Sequence, residues 1–225
     1  MTRRQHRLKR LIDISGAALV LAVTSPALLI VAVTVAVTLG RPVLFRQTRP
    51  GLHGRPFRLV KFRTMRPVDE RRGLVSENDR LTTAGRILRA TSLDELPTMW
   101  NVLCGHMSLV GPRPLLMAYL DRYTPEQARR HEVRPGVTGL AQVRGRNAIS
   151  WDRKFALDVW YVDHRNLALD LRILAATVGA VIRRTGVAAQ GEATAPEFLG
   201  LRETAGLTGP GAAEHPRGDL KTTTA

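Results

Sequence analysis

Between Leu11 and Leu39 the chain is almost wholly apolar, broken only by Asp13, Gly16, Pro26 and scattered Ser and Thr. About 18 apolar residues is the usual threshold for a membrane helix, and roughly 20 helical residues cross the hydrocarbon core. The run therefore qualifies as a membrane segment. It is too long for a signal peptide, and Arg41-Pro42 follows it where a cleavage site would need small residues. Its flanks carry the same charge. Arg3, Arg4, Arg7, Lys9 and Arg10 precede it, and Arg41, Arg46, Arg49, Arg55 and Arg58 follow. Basic residues beside a membrane segment favour the inside, so a single crossing strands one cluster on the wrong face, whereas a re-entrant helix does not. Ser25-Pro26 supplies a means of turning, because proline removes a backbone donor and clashes with the carbonyl four residues earlier. The Ser25 hydroxyl is placed to satisfy a freed backbone group. Spanning helices also contain kinking prolines, so these residues alone leave both topologies open.

The rest of the chain bounds what the anchor carries. At 225 residues and 44% hydrophobic composition there is material for one compact unit beyond the anchor, but not for two full domains. We divide it into 1–40, a basic N-terminus with the membrane helix; 41–185, a catalytic domain; and 186–225, a Gly-, Ala-, Thr- and Pro-rich tail expected to be disordered. The excess of 34 Lys+Arg over 19 Asp+Glu, +15 in all, implies a surface that meets lipid head groups, nucleotides or nucleic acid. Helix-turn-helix, zinc-ligand and RNA-binding aromatic patterns are missing, so a basic membrane-associated nucleic-acid-binding protein is the weaker reading and no nucleic-acid partner is expected. Cys104, the single cysteine, excludes an internal disulfide and reads as a small buried side chain.

Beyond Gly40 the pattern becomes β-like. Residues 43–47 and 56–63 flank turn signals at Pro50-Gly51 and His53-Gly54, which predicts a β-hairpin. Residues 66–78 are polar and read as an exposed loop. Leu81, Ala84, Ile87 and Leu88 recur at helical spacing, as do Leu96, Met99, Trp100 and Leu103 up to a stop at Gly105. Gly and Pro residues in 134–146 suggest loops around an extended Leu140-Ala141-Gln142-Val143. Trp151 to Tyr161 reads as a helix with aromatic residues for a core or a membrane surface, and Leu171 to Ile182 as an interfacial or core helix too short to span.

The sharpest local feature is Thr91-Ser92-Leu93-Asp94-Glu95-Leu96-Pro97. Ser92 and Glu95 have capping-box spacing, and acidic groups are favourable at a helix N-terminus, so capping is the simpler local explanation. Pro97 fits better if the helix begins nearer Leu96. Asp94 and Glu95 then sit at its mouth, where the dipole keeps a carboxylate ionised and attracts phosphate. An ionised aspartate can attack phosphorus, and a neighbouring glutamate can hold a divalent cation.

In several motifs taken in order, the chain resembles the bacterial sugar transferases, the monotopic phosphoglycosyl transferases that act on polyprenyl phosphate. The resemblance runs from Lys9-Arg10-Leu11-Ile12-Asp13 and Ser25-Pro26 through Lys61-Phe62-Arg63-Thr64-Met65 and Ser92 to Pro97, then Asn101-Val102-Leu103 and Ser108 to Pro114. It continues through Val133 to Val143 and Gly145-Arg146-Asn147, so it covers nearly the whole chain. Arg144 departs from the pattern, standing where relatives commonly carry asparagine, and the chain looks like the minimal form of the family.

The resemblance implies an α+β fold: a re-entrant helix broken at Ser25-Pro26, interfacial helices, and a small β-hairpin in a compact domain on the cytoplasmic face of the bacterial inner membrane. It implies transfer of a sugar-1-phosphate from a UDP-sugar to undecaprenyl phosphate, initiating exopolysaccharide or another surface glycan. Asp94 is then the nucleophile that forms a covalent phosphosugar, and Glu95 is the partner of a magnesium ion. Lys61, Arg63, Arg89, Arg113, Gln142, Arg146 and Asp158 are the candidate substrate-binding residues; arginine forks and lysine charges suit phosphates, and Asp158 would orient an arginine or the metal. A scaffold that keeps the fold without catalysis is disfavoured by the intact Asp94-Glu95. The residues specify neither the sugar nor the oligomeric state, a homodimer included.

Overall fold

The computed structural model describes residues 2–145, 149–182 and 197–200. The apolar run forms most of one helix, α1 (Arg3–Leu39), of 37 residues, roughly 55 Å long at 1.5 Å per residue. Thr2 opens it with a capping box to Gln5. Pro26 lies inside it, and the carbonyl deprived of the Pro26 amide is that of Ala22; the Ser25 hydroxyl donates to this oxygen at 2.8 Å. The expected remedy for the proline is therefore present.

One face of α1 is open and apolar, with Leu11, Leu19, Val23, Leu29, Ile30, Val33 and Val37 all exposed. The opposite face packs on the rest of the protein along most of its length. Ala17 joins a core with Phe57, Leu59, Met99, Val102 and Met107, while Val31 and Val35 join a second with Phe62 and Leu88. Polar clamps fix both ends. Lys9 Nζ reaches Asp170 at 2.7 Å, Arg10 donates to the carbonyls of Val102 and Leu103, and Asp13 accepts from Ser108 Oγ and Leu109 N. At the other end Arg63 donates to the carbonyls of Leu39, Gly40 and Arg41. The Arg10 contacts set a cation on the last carbonyls of a neighbouring helix and the Arg63 contacts do the same for α1, where the dipole favours positive charge.

The hairpin forms as its pattern predicts: β1 (Leu44–Pro50) pairs antiparallel with β2 (Pro56–Phe62), with Gln47 opposite Leu59. Through the polar stretch that follows, α2 (Glu77–Arg80) is a single exposed turn. α3 (Thr83–Ala90) carries the Leu81–Leu88 period and is capped by Thr82, and α4 (Thr98–Leu103) ends where Gly105 takes φ +80°. Cys104 at the end of α4 is exposed, not buried as its residue type suggests, because α4 turns its inner face to β2 and α1 through Thr98, Met99, Asn101 and Val102.

A second, two-stranded sheet pairs β3 (Ser108–Val110) in parallel with β4 (Gly136–Thr138). Between them lie a 3-10 helix at Met117–Arg122, one α-helical turn, α5 (Pro125–Ala128), and a 3-10 turn at Arg129–Glu132. The expectation of an extended Leu140–Val143 is incorrect; these residues begin a helix, α6 (Leu140–Arg144), and the strand lies just before it. The glycines that read as loop punctuation serve close backbone approach. A Cβ on Gly136 would lie 2.1 Å from the Gly111 nitrogen, and one on Gly139 2.2 Å from the Gly111 oxygen. α7 (Trp151–His164) and α8 (Leu167–Ile182) complete the unit. Their Tyr161 and Ile173 pack with Val110 and Leu140. The tail expected to be disordered lies mostly outside the described residues. Glu197–Gly200 is the exception and docks on the domain, with Phe198 buried against Tyr119 and Phe155.

Candidate active site

Asp94 lies in a single 3-10 turn, Leu93–Glu95, between α3 and α4 and against β2. Ser92 enters this turn in the left-handed region, with φ +58° and ψ +17°, and its side chain makes no cap. The capping reading of Ser92 and Glu95 therefore fails. A non-glycine residue at positive φ costs free energy and occurs where the surroundings impose it.

The Asp94 carboxyl group is 5% exposed as a residue. Burial, and next the neighbouring Glu95, push its pKa up from 3.8 to about 6, against the pull of Lys61, Arg89 and Arg113. Lys61 projects from β2 into the same cluster, where burial depresses its pKa and the two carboxylates oppose that shift. Arg89 at the end of α3 donates through Nε to Thr64 Oγ1 at 3.1 Å. Arg113, in Gly111-Pro112-Arg113-Pro114, grips Glu95 with both terminal nitrogens, at 2.5 and 3.4 Å. Arg49 on β1 stands beside it, donating to Gln47 Oε1 and to the carbonyl of Pro114, and its pKa is lowered by burial and then by Arg113. Lys61, Arg89 and Arg113 thus meet two carboxylates, with Arg49 behind Arg113. The surplus of positive charge suits an anionic ligand with more than one charge.

Five of the expected site residues, Lys61, Arg89, Asp94, Glu95 and Arg113, fall together here. The others do not. Arg63 is engaged with the carbonyls that end α1. Gln142 donates from Nε2 to the Val137 carbonyl at 2.9 Å, beside β4. Asp158 is 2% exposed on α7 and pairs with Arg130 at 2.6 and 3.1 Å, so it touches neither solvent nor the Asp94 cluster directly. Arg146 and Asn147 lie outside the described residues.

Arg130 had no signal in the sequence. It is also 2% exposed, donates to the carbonyl of Arg113 at 2.8 Å and to Tyr123 OH at 3.1 Å, and lies over the rings of Tyr123 and Phe155. Its charge is compensated by Asp158 and its fork holds the backbone from which Arg113 reaches Glu95. Only the run of arginines at 129–130 marks it, and such runs are ordinarily solvated surface.

No three His, Cys, Asp or Glu side chains come together as a metal cage among the described residues. Magnesium does not require one, since it is commonly held by one or two carboxylates with water and substrate phosphates completing the shell. Asp94 and the partly exposed Glu95 match that donor set.

Comparison with known proteins agrees with the resemblance. The profile of the family described as bacterial sugar transferase matches residues 4–184. The chain is 53% identical over 194 residues to a Bacillus subtilis (strain 168) protein named uncharacterized sugar transferase EpsL, covering 86% of this chain and 96% of the relative. It is 43% identical to a UDP-glucose:undecaprenyl-phosphate glucose-1-phosphate transferase of Caulobacter vibrioides, covering 77% of this chain and 69% of the relative. A UDP-galactose-lipid carrier transferase of Erwinia amylovora is 38% identical over 80% of this chain, which spans 41% of that longer protein.

Proposed function

Because the chain belongs to the bacterial sugar transferases, we propose that it transfers a sugar-1-phosphate from a UDP-sugar to undecaprenyl phosphate, through a covalent intermediate on Asp94. The observation that carries this reading is the buried Asp94 carboxyl group set among Lys61, Arg89 and Arg113. A surface capping residue needs no such enclosure, whereas a nucleophile for phosphorus does.

In the first half-reaction an Asp94 oxygen forms a bond to the sugar-bearing phosphorus. The bond from that phosphorus to the bridging oxygen breaks, and UMP departs with the electron pair. In the second, an oxygen of undecaprenyl phosphate attacks the same phosphorus and the Asp94 carboxylate leaves. At neutral pH and above, a carboxyl group with a pKa of about 6 is mostly ionised and ready to attack. Lys61 and Arg89 offset the charge that a diphosphate brings beside it. Arg113 is placed to exchange Glu95 for a phosphate oxygen, which bidentate arginine geometry favours. Glu95 is the residue that would hold magnesium, whose chemistry there is neutralisation of diphosphate charge.

The anchor fits a membrane-surface enzyme. Both ends of α1 are pinned to one domain, by Lys9, Arg10 and Asp13 at one end and Arg63 at the other. A helix so held keeps its two basic flanks on the domain's side of the bilayer, which supports the re-entrant topology and a catalytic domain on the cytoplasmic face. Initiation of a surface glycan follows as the place of such a product.

The test is to incubate detergent-solubilised protein with undecaprenyl phosphate, magnesium and a panel of UDP-sugars, glucose and galactose first, and to measure UMP. Release with at least one sugar is expected. Silence across the panel, or full turnover by Asp94→Asn, sinks the proposal.

A further inference from the structure

The segment Glu197–Gly200 lies against the domain and is fixed there by several independent contacts. Phe198 is 6% exposed and packs edge-on to Phe155 at 4.9 Å and to Tyr119 at 5.6 Å, stacks on Tyr123 at 5.9 Å and tilts against Trp151 at 5.6 Å. Its amide donates to Tyr119 OH at 3.2 Å. Arg122 holds the same segment from outside, donating to the Phe198 carbonyl at 2.6 Å and to the Glu197 carboxylate at 2.8 Å. Gly200 then turns at φ +86°, a left-handed conformation that favours glycine, and a Cβ there would stand 3.3 Å from Arg122 Cβ.

What lies behind Phe198 gives the docking its consequence. Tyr123 and Phe155, two of the rings it covers, are the two rings over which the Arg130 guanidinium sits, at 5.7 and 5.5 Å. Arg130 in turn holds the Arg113 carbonyl, and Arg113 holds Glu95 beside Asp94. Aromatic faces stabilise a desolvated guanidinium only while their own packing fixes them and keeps water out. Without Phe198, one side of both rings opens.

We propose that Glu197–Gly200 is an intramolecular strap, with Phe198 a positioning residue that fixes Arg113 by completing the aromatic cage around Arg130. The proposal rests on the transferase reading for its kinetic consequence, though not for its structural one. Phe198 touches neither substrate nor reacting atoms. It acts through the Arg130–Asp158 pair on the loop that carries Arg113.

The test uses the full chain with Phe198→Ala, Phe198→Leu and Arg122→Ala. Hydrogen exchange is followed in peptides covering 111–116, together with kcat and KM for the UDP-sugar turned over fastest in the panel. In Phe198→Ala, exchange at 111–116 accelerates at least tenfold and KM for the UDP-sugar rises, with kcat/KM falling roughly 10- to 100-fold, the loss expected when a substrate-positioning group shifts by about 1 Å. Phe198→Leu recovers most of it. If Phe198→Ala does not fold, Arg122→Ala, which releases the strap from its outer side, is expected to show the same pattern in weaker form. Unchanged exchange at 111–116, or a kcat that falls only with the folded fraction at constant KM, overturns the proposal. A wild-type enzyme inactive on the whole panel would refute the transferase reading alone, with exchange still deciding the strap.

Discussion

Replacing the proposed nucleophile should stabilise the protein, and the gain should depend on pH. Asp94 has its pKa raised from 3.8 to about 6 by burial and by Glu95. The folded state therefore holds the Asp94 proton more tightly than the unfolded chain does. The sign follows: wild-type stability falls as pH rises from about 4 to 6, and above that the full cost of a buried carboxylate is present. Two units at about 1.36 kcal/mol each set this cost near 3 kcal/mol. Asp94→Asn keeps the shape of the neutral acid and cannot ionise, so it escapes that cost. In thermal unfolding of the detergent-solubilised protein, Asp94→Asn should melt roughly 6–12 °C above wild type at pH 8, taking about 2–4 °C per kcal/mol for a chain of this size. The two should converge near pH 4. A variant that melts with or below wild type at pH 8, or whose advantage does not change with pH, refutes the enclosure of an ionised Asp94 within its cluster.

The same pKa places an acid limb on the reaction: kcat/KM should fall tenfold per unit as pH drops below about 6, and an activity flat to pH 5 contradicts an ionised nucleophile. Asp158→Asn should destabilise the protein by about 3–5 kcal/mol, the cost of leaving the buried Arg130 charge unpaired, as read by denaturation; a change under about 1 kcal/mol contradicts that pairing. In a Cys104→Ser background, single cysteines at Arg3 and Arg55 should react with a membrane-impermeant maleimide from the same side of oriented vesicles. Labelling from opposite sides refutes re-entry.

Much of this architecture was legible because it rests on local periodicity. The Leu11–Leu39 run, the alternation around Pro50-Gly51 and the spacing of Ala84, Ile87 and Leu88 announce α1, the hairpin and α3. The ordered motifs also marked Lys61, Asp94, Glu95 and Arg113, and the need to neutralise phosphate pointed to Arg89; the fold brings all five together. What was hidden is tertiary. Glycine reads as a loop former, yet Gly136 and Gly139 are required by the approach of Gly111, so α6 was mistaken for an extended segment. Ser92 sits three residues before a glutamate as a cap does, but its positive φ is a property of the packed turn. Arg130 is indistinguishable in sequence from its solvated neighbour Arg129, and only the fold encloses it between Asp158, Tyr123 and Phe155. Phe198 stands alone in a stretch of low-complexity composition, where one aromatic residue carries no period.

Covalent chemistry on Asp94 is tested most directly by incubating the protein with magnesium and a UDP-sugar carrying a radiolabel in its sugar-linked phosphate, with no lipid acceptor. The account predicts label retained on the denatured protein, at up to one equivalent, with equimolar UMP released. It predicts that undecaprenyl phosphate discharges the label and that Asp94→Asn never acquires it. Turnover in the full reaction without any protein-bound label, or label that persists in Asp94→Asn, would contradict it.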